Sequence, residues 1–169
     1  RAQGDAFVSC FASSGSSLEY STYLGGEYTD YGLGVTIDTD ACTYAVGGTG
    51  SDEFPIKSSY QATLNGGMNA YAVKLQSSGT ELCYSTYIGG SWLDSGRDVV
   101  ANSNGCIFVT GGAWSDNFPV CNAYQSTFGG GGYLYPGDAF ISKLDSSGSR
   151  ILYSTYLGGL DGYAGLGIA

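Results

Sequence analysis

The heptapeptide Tyr-Ser-Thr-Tyr-Leu-Gly-Gly at residues 20–26 returns at residues 84–90, with Ile88 in place of Leu24, and again at residues 153–159. A fixed internal period of this kind indicates a repeat protein, in which each copy is one supersecondary unit that cannot bury its apolar surface alone. The starts at 20, 84 and 153 place the copies 64 and then 69 residues apart. The extra five residues fall in 129–137, which predicts a loop there.

Other short sequence motifs recur around the heptapeptide in a constant order. Runs rich in strand-forming residues, such as Asp-Ala-Phe-Ile-Ser-Lys-Leu at 138–144, precede Ser-Ser-Gly and then the heptapeptide. A second pair of β-rich runs follows and turns through residues 38–40 or 102–104. Both pairings predict hairpins, because Gly, Asn and Asp suit tight turns. Each period therefore predicts four short antiparallel strands.

A longer connection follows the second hairpin in the first two copies. It carries Asp-x-Phe-Pro at residues 52–55 and again at 116–119. A structureless connection of this length is uncommon inside a compact domain. We therefore predict one helical turn in each connection, with Ser58 and Asn122 as N-caps.

The repeat pattern predicts an all-β fold in a single domain covering residues 1–169. Four-stranded antiparallel sheets that stack on copies of themselves are typical of β-propeller blades, so the predicted architecture is β-propeller-like. A β-solenoid is the alternative, although its usual repeat is shorter.

In these recurring motifs the chain resembles the SBBP-type bacterial β-propeller repeat family. Units of that family run like Asp-Ala-Phe-Val-x-Lys-Leu, Tyr-Ser-Thr-Tyr-Leu-Gly-Gly, Gly-x-x-Val-Asp and Phe-Pro-x-x-x-x-Ala-Tyr-Gln, and the resemblance covers nearly the whole chain. It implies a secreted or surface-attached protein of a bacterium or archaeon. The family contributes no catalytic residue to this chain.

The resemblance also implies that the Val-Thr-Ile strand is innermost in its blade. Complete blades are then expected at 33–90 and 97–159, with a partial blade at 5–26 and the start of a next blade at 165–169. This is short of a closed ring, which needs about four blades. We therefore expect either a longer array or copies that complete one another through exposed edge strands or stacked blades.

Composition excludes several classes of function. The chain has 15 acidic and 6 basic residues and a net charge of −9, so nucleic acid is not an expected partner. No apolar run approaches the ~20 residues that a membrane-spanning helix needs. With no His and no Gly-x-Ser-x-Gly motif, the sequence lacks the usual hydrolase machinery. Asp30 and Asp94 match across repeats, as turn-capping residues do, and we predict that the protein is not an enzyme.

Three further sets of side chains are candidate sites. Asp38 and Asp40 share one turn and form a candidate calcium site, with an Asx turn as the alternative; no other cofactor is predicted. The five cysteines are candidates for disulfides of open pairing, although Cys42 and Cys106 occupy equivalent positions on neighbouring sheets, too far apart to bond each other. They are Cys10, Cys42, Cys83, Cys106 and Cys121.

Four aromatic residues in the connections are candidate contacts for a ligand or partner. They are Trp92, Trp114, Tyr133 and Tyr135. Aromatic faces stack on sugar rings and are enriched at protein interfaces. The sequence favours a non-enzymatic structural protein, extracellular or on the cell surface, that self-associates into a surface assembly or filament. A carbohydrate-binding, adhesive β-propeller that contacts glycans is the alternative.

Overall fold

The computed structural model describes residues 4–130, 137–160, 162 and 164–169. All regular secondary structure among these residues is β, which confirms the predicted all-β class. The described residues form ten strands: β1 (Ala6–Phe11), β2 (Leu18–Leu24), β3 (Asp30–Ile37), β4 (Thr43–Thr49), β5 (Asn69–Leu75), β6 (Leu82–Ile88), β7 (Asp94–Ala101), β8 (Ile107–Ala113), β9 (Asp138–Leu144) and β10 (Ile151–Leu157).

The strands form one hairpin and two larger sheets. Strands β1 and β2 pair with each other and form the first sheet. Strands β3 to β6 form the second sheet and strands β7 to β10 the third, each with its four strands in chain order. The pairings between these strands are all antiparallel, which confirms the predicted four-stranded antiparallel sheets. Strands β3 and β7, which are expected to be innermost, begin at Asp30 and Asp94, three residues before the expected blade starts at 33 and 97. A bulge at Leu33 or Arg97 lets the pairing continue past those positions.

The expected inner strand at 165–169 is not formed as a regular strand. Instead the Gly165 amide donates to the Gly111 carbonyl at 2.9 Å, and the Ile168 amide donates to Oδ2 of Asp98 at 3.0 Å. Among the described residues this segment has no hairpin partner, and these two hydrogen bonds attach it to the third sheet.

The predicted helical turns in the long connections are wrong. Ser58 and Asn122 both have φ of 48°, in the left-handed region, which does not start a right-handed helix. Each connection instead runs beside the last strand of its own sheet, where Lys57 bridges to Ser85 and Cys121 bridges to Ser154. The outer strand offers free backbone groups, and pairing with them replaces a local helical turn. We call residues 51–61 and 115–125 the Phe-Pro segments.

The sheets stack on one another in chain order. We call the side of a sheet that faces the next sheet its front face and the opposite side its rear face. Residues Ala6, Val8 and Leu24 on the front face of β1–β2 pack into one core with Tyr71 and Val73 on the rear face of the second sheet. A second core joins the front face of the second sheet to the rear face of the third, and includes Val46, Ala72, Ile88, Val109, Phe140 and Leu144.

Buried aspartates hold the turns at the start of both four-stranded sheets. Asp94 accepts hydrogen bonds from the Gly90 amide at 2.7 Å, the Ser115 hydroxyl at 2.8 Å and the Trp114 amide at 3.0 Å. Asp30 accepts equivalent bonds from the Gly26 amide and the Ser51 hydroxyl, both at 2.9 Å. Burial raises the pKa of Asp94 even though these hydrogen bonds favour its charged form. Both residues cap turns, as the sequence predicts.

Candidate functional site

The burial of the strands shows which sheet faces remain uncovered. In the second sheet, every residue of β5 except Lys74 is buried, because a neighbouring sheet covers each face. In β9 every second residue is buried and those between are half-buried, so only the rear face is covered. In β1 the phase is reversed, since Ala6 and Val8 on the front face are buried while Phe7 and Phe11 are exposed. The two ends of the stack therefore expose opposite faces.

The rear face of β1–β2 is an exposed apolar surface. Phe7, Phe11 and Tyr23 are 65%, 62% and 78% exposed. The residues at the same positions of the other two sheets are no more than 3% exposed: Tyr71, Leu75 and Tyr87 in the second sheet, and Phe140, Leu144 and Tyr156 in the third. The residues of this face are not among the candidate sites named from the sequence. The alternation of side chains along β1, together with the 64-residue repeat, is the sequence signal that identifies them.

A cleft continues this surface towards the inner strand of the second sheet. It has a volume of about 200 Å³, and Phe7, Leu33, Val35 and Tyr71 are among the residues that line it. Val35 is exposed, whereas Val99 at the same position of the third sheet is buried. Strand β1 pairs only with β2 in the described part of the chain, so its other edge is free to accept a strand.

Each contact between neighbouring sheets includes a tyrosine ring that lies against a turn glycine. The Tyr20 ring of the first sheet contacts Gly79, and the Tyr84 ring of the second sheet contacts Gly148. Both glycines have φ near 70° and no room for a side chain, so the turn residue suits the ring as well as the backbone. At the rear end of the stack, no atom of the described residues lies within 4 Å of the space that a Cβ on Gly15 would occupy.

The front face of the third sheet is the second uncovered surface. It carries Ala139, Ile141 and Tyr153, which are half-buried, and Leu157, which is exposed. Tyr124 beside it is exposed as well. At the same position of the second sheet, Tyr60 donates its backbone amide to Gly148 of the third sheet at 3.1 Å. This surface is thus equivalent to the one that the second sheet buries against the third.

Two of the four predicted aromatic contacts come together at one end of the sheets. Trp92 and Trp114 line a cleft of about 430 Å³ with Ser91, Asp116 and Phe128. The other two predicted residues, Tyr133 and Tyr135, lie outside the residues that the structure describes. Trp92 is exposed, so the cleft presents its indole ring to solvent, and Asp116 lines the same cleft.

Trp114 also has a structural role. Its ring lies so close to the backbone that a Cβ on Gly112 would be 2.6 Å from it, and in the second sheet the Tyr31 ring covers Gly48 in the same way. Ser95 stands at the position of Tyr31 in the third sheet. In the third sheet the Trp114 ring therefore covers Gly112, as the Tyr31 ring covers Gly48 in the second sheet. This packing accounts for a large aromatic residue at position 114 but not for the exposed one at position 92.

The predicted calcium residues form a tight turn. Oδ1 of Asp38 accepts the amides of Asp40 and Cys42 at 3.0 and 2.9 Å, and Oδ2 accepts the Tyr44 hydroxyl at 2.8 Å and pairs with Lys74 at 3.1 Å. Desolvation opposes ionisation of Asp38, but the hydrogen bonds from Tyr44 and Lys74 outweigh it and lower the pKa. This is the bonding of an Asx turn. Within the described ranges, no group of three or more His, Cys, Asp or Glu residues is placed to hold a metal ion, and calcium at this turn stays a prediction.

All five cysteines are free and half-buried in the structure. Cys10 lies on β1, Cys83 on β6, and Cys121 in a Phe-Pro segment. Cys42 and Cys106 occupy the turns before β4 and β8. The structure therefore assigns no pairing to the five disulfide candidates.

No helix long and apolar enough to cross a membrane occurs in the described residues. No protein-family model matches the chain, and a comparison with curated proteins gives no match. The uncovered faces and the aromatic cleft are therefore the features of the chain that bear on its function.

Proposed function

We propose that the chain is a non-enzymatic structural repeat module whose copies associate by stacking the front face of one copy on the rear face of the next. One observation supports this proposal. The chain packs a front face against a rear face twice internally, and the two uncovered faces are a further front face and a further rear face of the same kind. Internally, Tyr20 meets Gly79 and Tyr84 meets Gly148. The same geometry between copies brings Tyr153 of one copy to Gly15 of the next.

A front-to-rear contact joins two different surfaces, so it generates a ring if the rotation closes and a filament if it does not. The resemblance to SBBP-type repeats supports reading the sheets as propeller-like blades and the assembly as extracellular or attached to the cell surface. The net charge of −9 on every copy opposes association at low ionic strength. We therefore expect added salt to strengthen the assembly.

Variants that block one face at a time test the proposal. Ile141→Asp places a charge on the front face, and Phe7→Asp places one on the rear face. Because a buried unpaired charge is costly, we expect each variant to weaken self-association by about 100-fold or more. In sedimentation velocity, each variant alone should be monomeric, whereas a mixture of the two should form dimers and no larger species.

Tyr28→Asp is the control, because Tyr28 is exposed and lies on neither face. Circular dichroism and thermal unfolding should show that all three variants fold. Dimers in either single variant would indicate a contact between like faces, and a wild-type chain that stays monomeric at high concentration and high salt would refute the proposed function.

The aromatic cleft supports a second candidate, a carbohydrate-binding module. An exposed indole face beside acidic and hydroxyl groups is the usual chemistry of a sugar site. Ser91 and Asp116 supply the polar groups beside Trp92, and the Ser91 hydroxyl already donates to Asn117 at 3.1 Å.

Trp92→Ala tests this candidate in a glycan array followed by titration calorimetry. We expect any glycan bound by the wild type to lose about tenfold or more in affinity, since stacking on the indole supplies much of the binding energy. Tyr28→Ala is the matched control, because Tyr28 is the repeat equivalent of Trp92. Equal glycan affinity of the Trp92 variant and the wild type would exclude the cleft as the sugar site.

A further inference from the structure

The two Phe-Pro segments dock on their own sheets through the same side-chain contacts. The ring of Phe54 lies 4.7 Å from that of Tyr71 and 6.1 Å from that of Tyr87. The Tyr87 hydroxyl donates to the Ser51 carbonyl at 2.7 Å. The second segment repeats these three contacts at 4.5, 6.1 and 2.9 Å with Phe118, Phe140, Tyr156 and Ser115.

Backbone contacts fix the rest of each segment along the outer strand. Lys57 and Ser85 exchange amide-to-carbonyl bonds of 3.2 and 2.8 Å. The Gln61 carbonyl accepts the Tyr87 amide at 3.2 Å, and its Oε1 accepts the Gly89 amide at 3.1 Å. The second segment makes the same four bonds at 2.9, 2.8, 3.2 and 3.1 Å through Cys121, Ser154, Gln125, Tyr156 and Gly158.

The hairpin β1–β2 carries a third copy of the receiving residues. Phe7 stands at the position of Tyr71, Ser21 at that of Ser85, Tyr23 at that of Tyr87 and Gly25 at that of Gly89. Phe7 and Tyr23 are exposed, and β2 pairs only with β1 within the described ranges. The outward amides of Ser21 and Tyr23 match those that bind the segments on the other two sheets.

We propose that the rear face of β1–β2 is a binding site for a polypeptide segment with Asp-Xaa-Phe-Pro followed by Gln six residues after the Pro. The occupant is the Phe-Pro segment of a further repeat of this type. The chain's own segments do not supply it, because Phe54 and Phe118 are 3% and 2% exposed on their own sheets. The inference rests on the same face as the proposed stacking but does not require that copies stack.

A synthetic peptide tests the site. The probe is Ser-Asp-Glu-Phe-Pro-Ile-Lys-Ser-Ser-Tyr-Gln-Ala, the sequence of residues 51–62, with blocked ends and a fluorescent label. It is titrated into the Ile141→Asp variant, in which the proposed stacking is blocked, and binding is followed by anisotropy. Amide hydrogen exchange then locates the peptide. We expect saturable binding and exchange about tenfold slower at Ser21 and Tyr23.

Matched changes on both sides identify the contacts. A peptide with Ala in place of Phe54, and a receptor with Tyr23→Ala, should each weaken binding about tenfold or more, because both remove the aromatic packing. Tyr23→Phe should weaken it less, because only the hydroxyl bond is lost. Tyr23 is exposed, so these receptor variants should fold as the parent does.

Three results would overturn the inference: no saturation at millimolar peptide, equal affinity of the Phe54→Ala peptide, or exchange protection on β6 or β10 instead of β2. None of them bears on the mixing of Ile141→Asp with Phe7→Asp. Failure of the peptide site and failure of the proposed stacking are therefore distinguishable.

Discussion

Replacing Phe118 by alanine is expected to lower the free energy of unfolding by about 3–5 kcal/mol. The Phe118 ring is fully buried and packs against Phe140 and Tyr156 at centroid distances of 4.5 and 6.1 Å. Its loss removes apolar contact area and leaves a cavity between the segment and the sheet, and the strands on either side are too firmly paired to close it. Urea unfolding should show a lower midpoint with an unchanged slope.

Tyr124→Ala is the control in the same segment, because Tyr124 is exposed and should change stability by no more than about 0.5 kcal/mol. Both variants are compared at a concentration where the chain is monomeric. If the free energy of unfolding of Phe118→Ala lies within about 1 kcal/mol of the wild-type value, the segment does not contribute to the core. The docking of the chain's own segments would then no longer support the proposed peptide site on β1–β2.

Gly111→Ala is expected to destabilise the third sheet by about 3 kcal/mol or more. A Cβ at this position would overlap the Ser95 carbonyl oxygen of the paired strand and would lie 2.9 Å from the Phe140 ring. The nearest atom belongs to the backbone, so relief requires β7 and β8 to separate locally and to lose ladder hydrogen bonds. Gly47→Ala should have the same effect in the second sheet, where the Tyr31 carbonyl occupies the corresponding space.

The matched control for this prediction is Gly159→Ala. No described atom lies within 4 Å of the position that a Cβ on Gly159 would take, and its φ is ordinary, so alanine should be neutral or slightly stabilising there. Thermal unfolding of the three variants gives the comparison. Equal melting temperatures for Gly111→Ala and Gly159→Ala would show that β7 and β8 are not packed as closely as described.

The strands and their order could be predicted because each is a recurring word bounded by turn residues. The connections could not be predicted equally well. Ser58 has the residue type of an N-cap, yet its conformation is set by the backbone groups that Ser85 offers to Lys57 across the sheet. Such a partner is distant in sequence, so the helix propensity of the residues around Ser58 does not reveal it.

The aromatic residues show a similar limit. The sequence places Trp92 and Trp114 in connections, and the structure brings both to one cleft. Spacing alone does not show that Trp114 covers Gly112 where Tyr31 covers Gly48. Comparison of the two repeats contains this information, since Tyr31 and Gly50 of one are replaced together by Ser95 and Trp114 of the other.

The Phe-Pro segments also determine the direction in which an assembly can grow. Each segment occupies the outer edge of its sheet, at Ser85 or Ser154, so these sheets cannot add further strands side by side there. The stacking that we propose does not use this edge, and in that direction sheets repeat every ~10 Å. A filament built in this way should diffract with the ~10 Å reflection along its axis and the ~4.7 Å reflection across it, the reverse of an amyloid fibre.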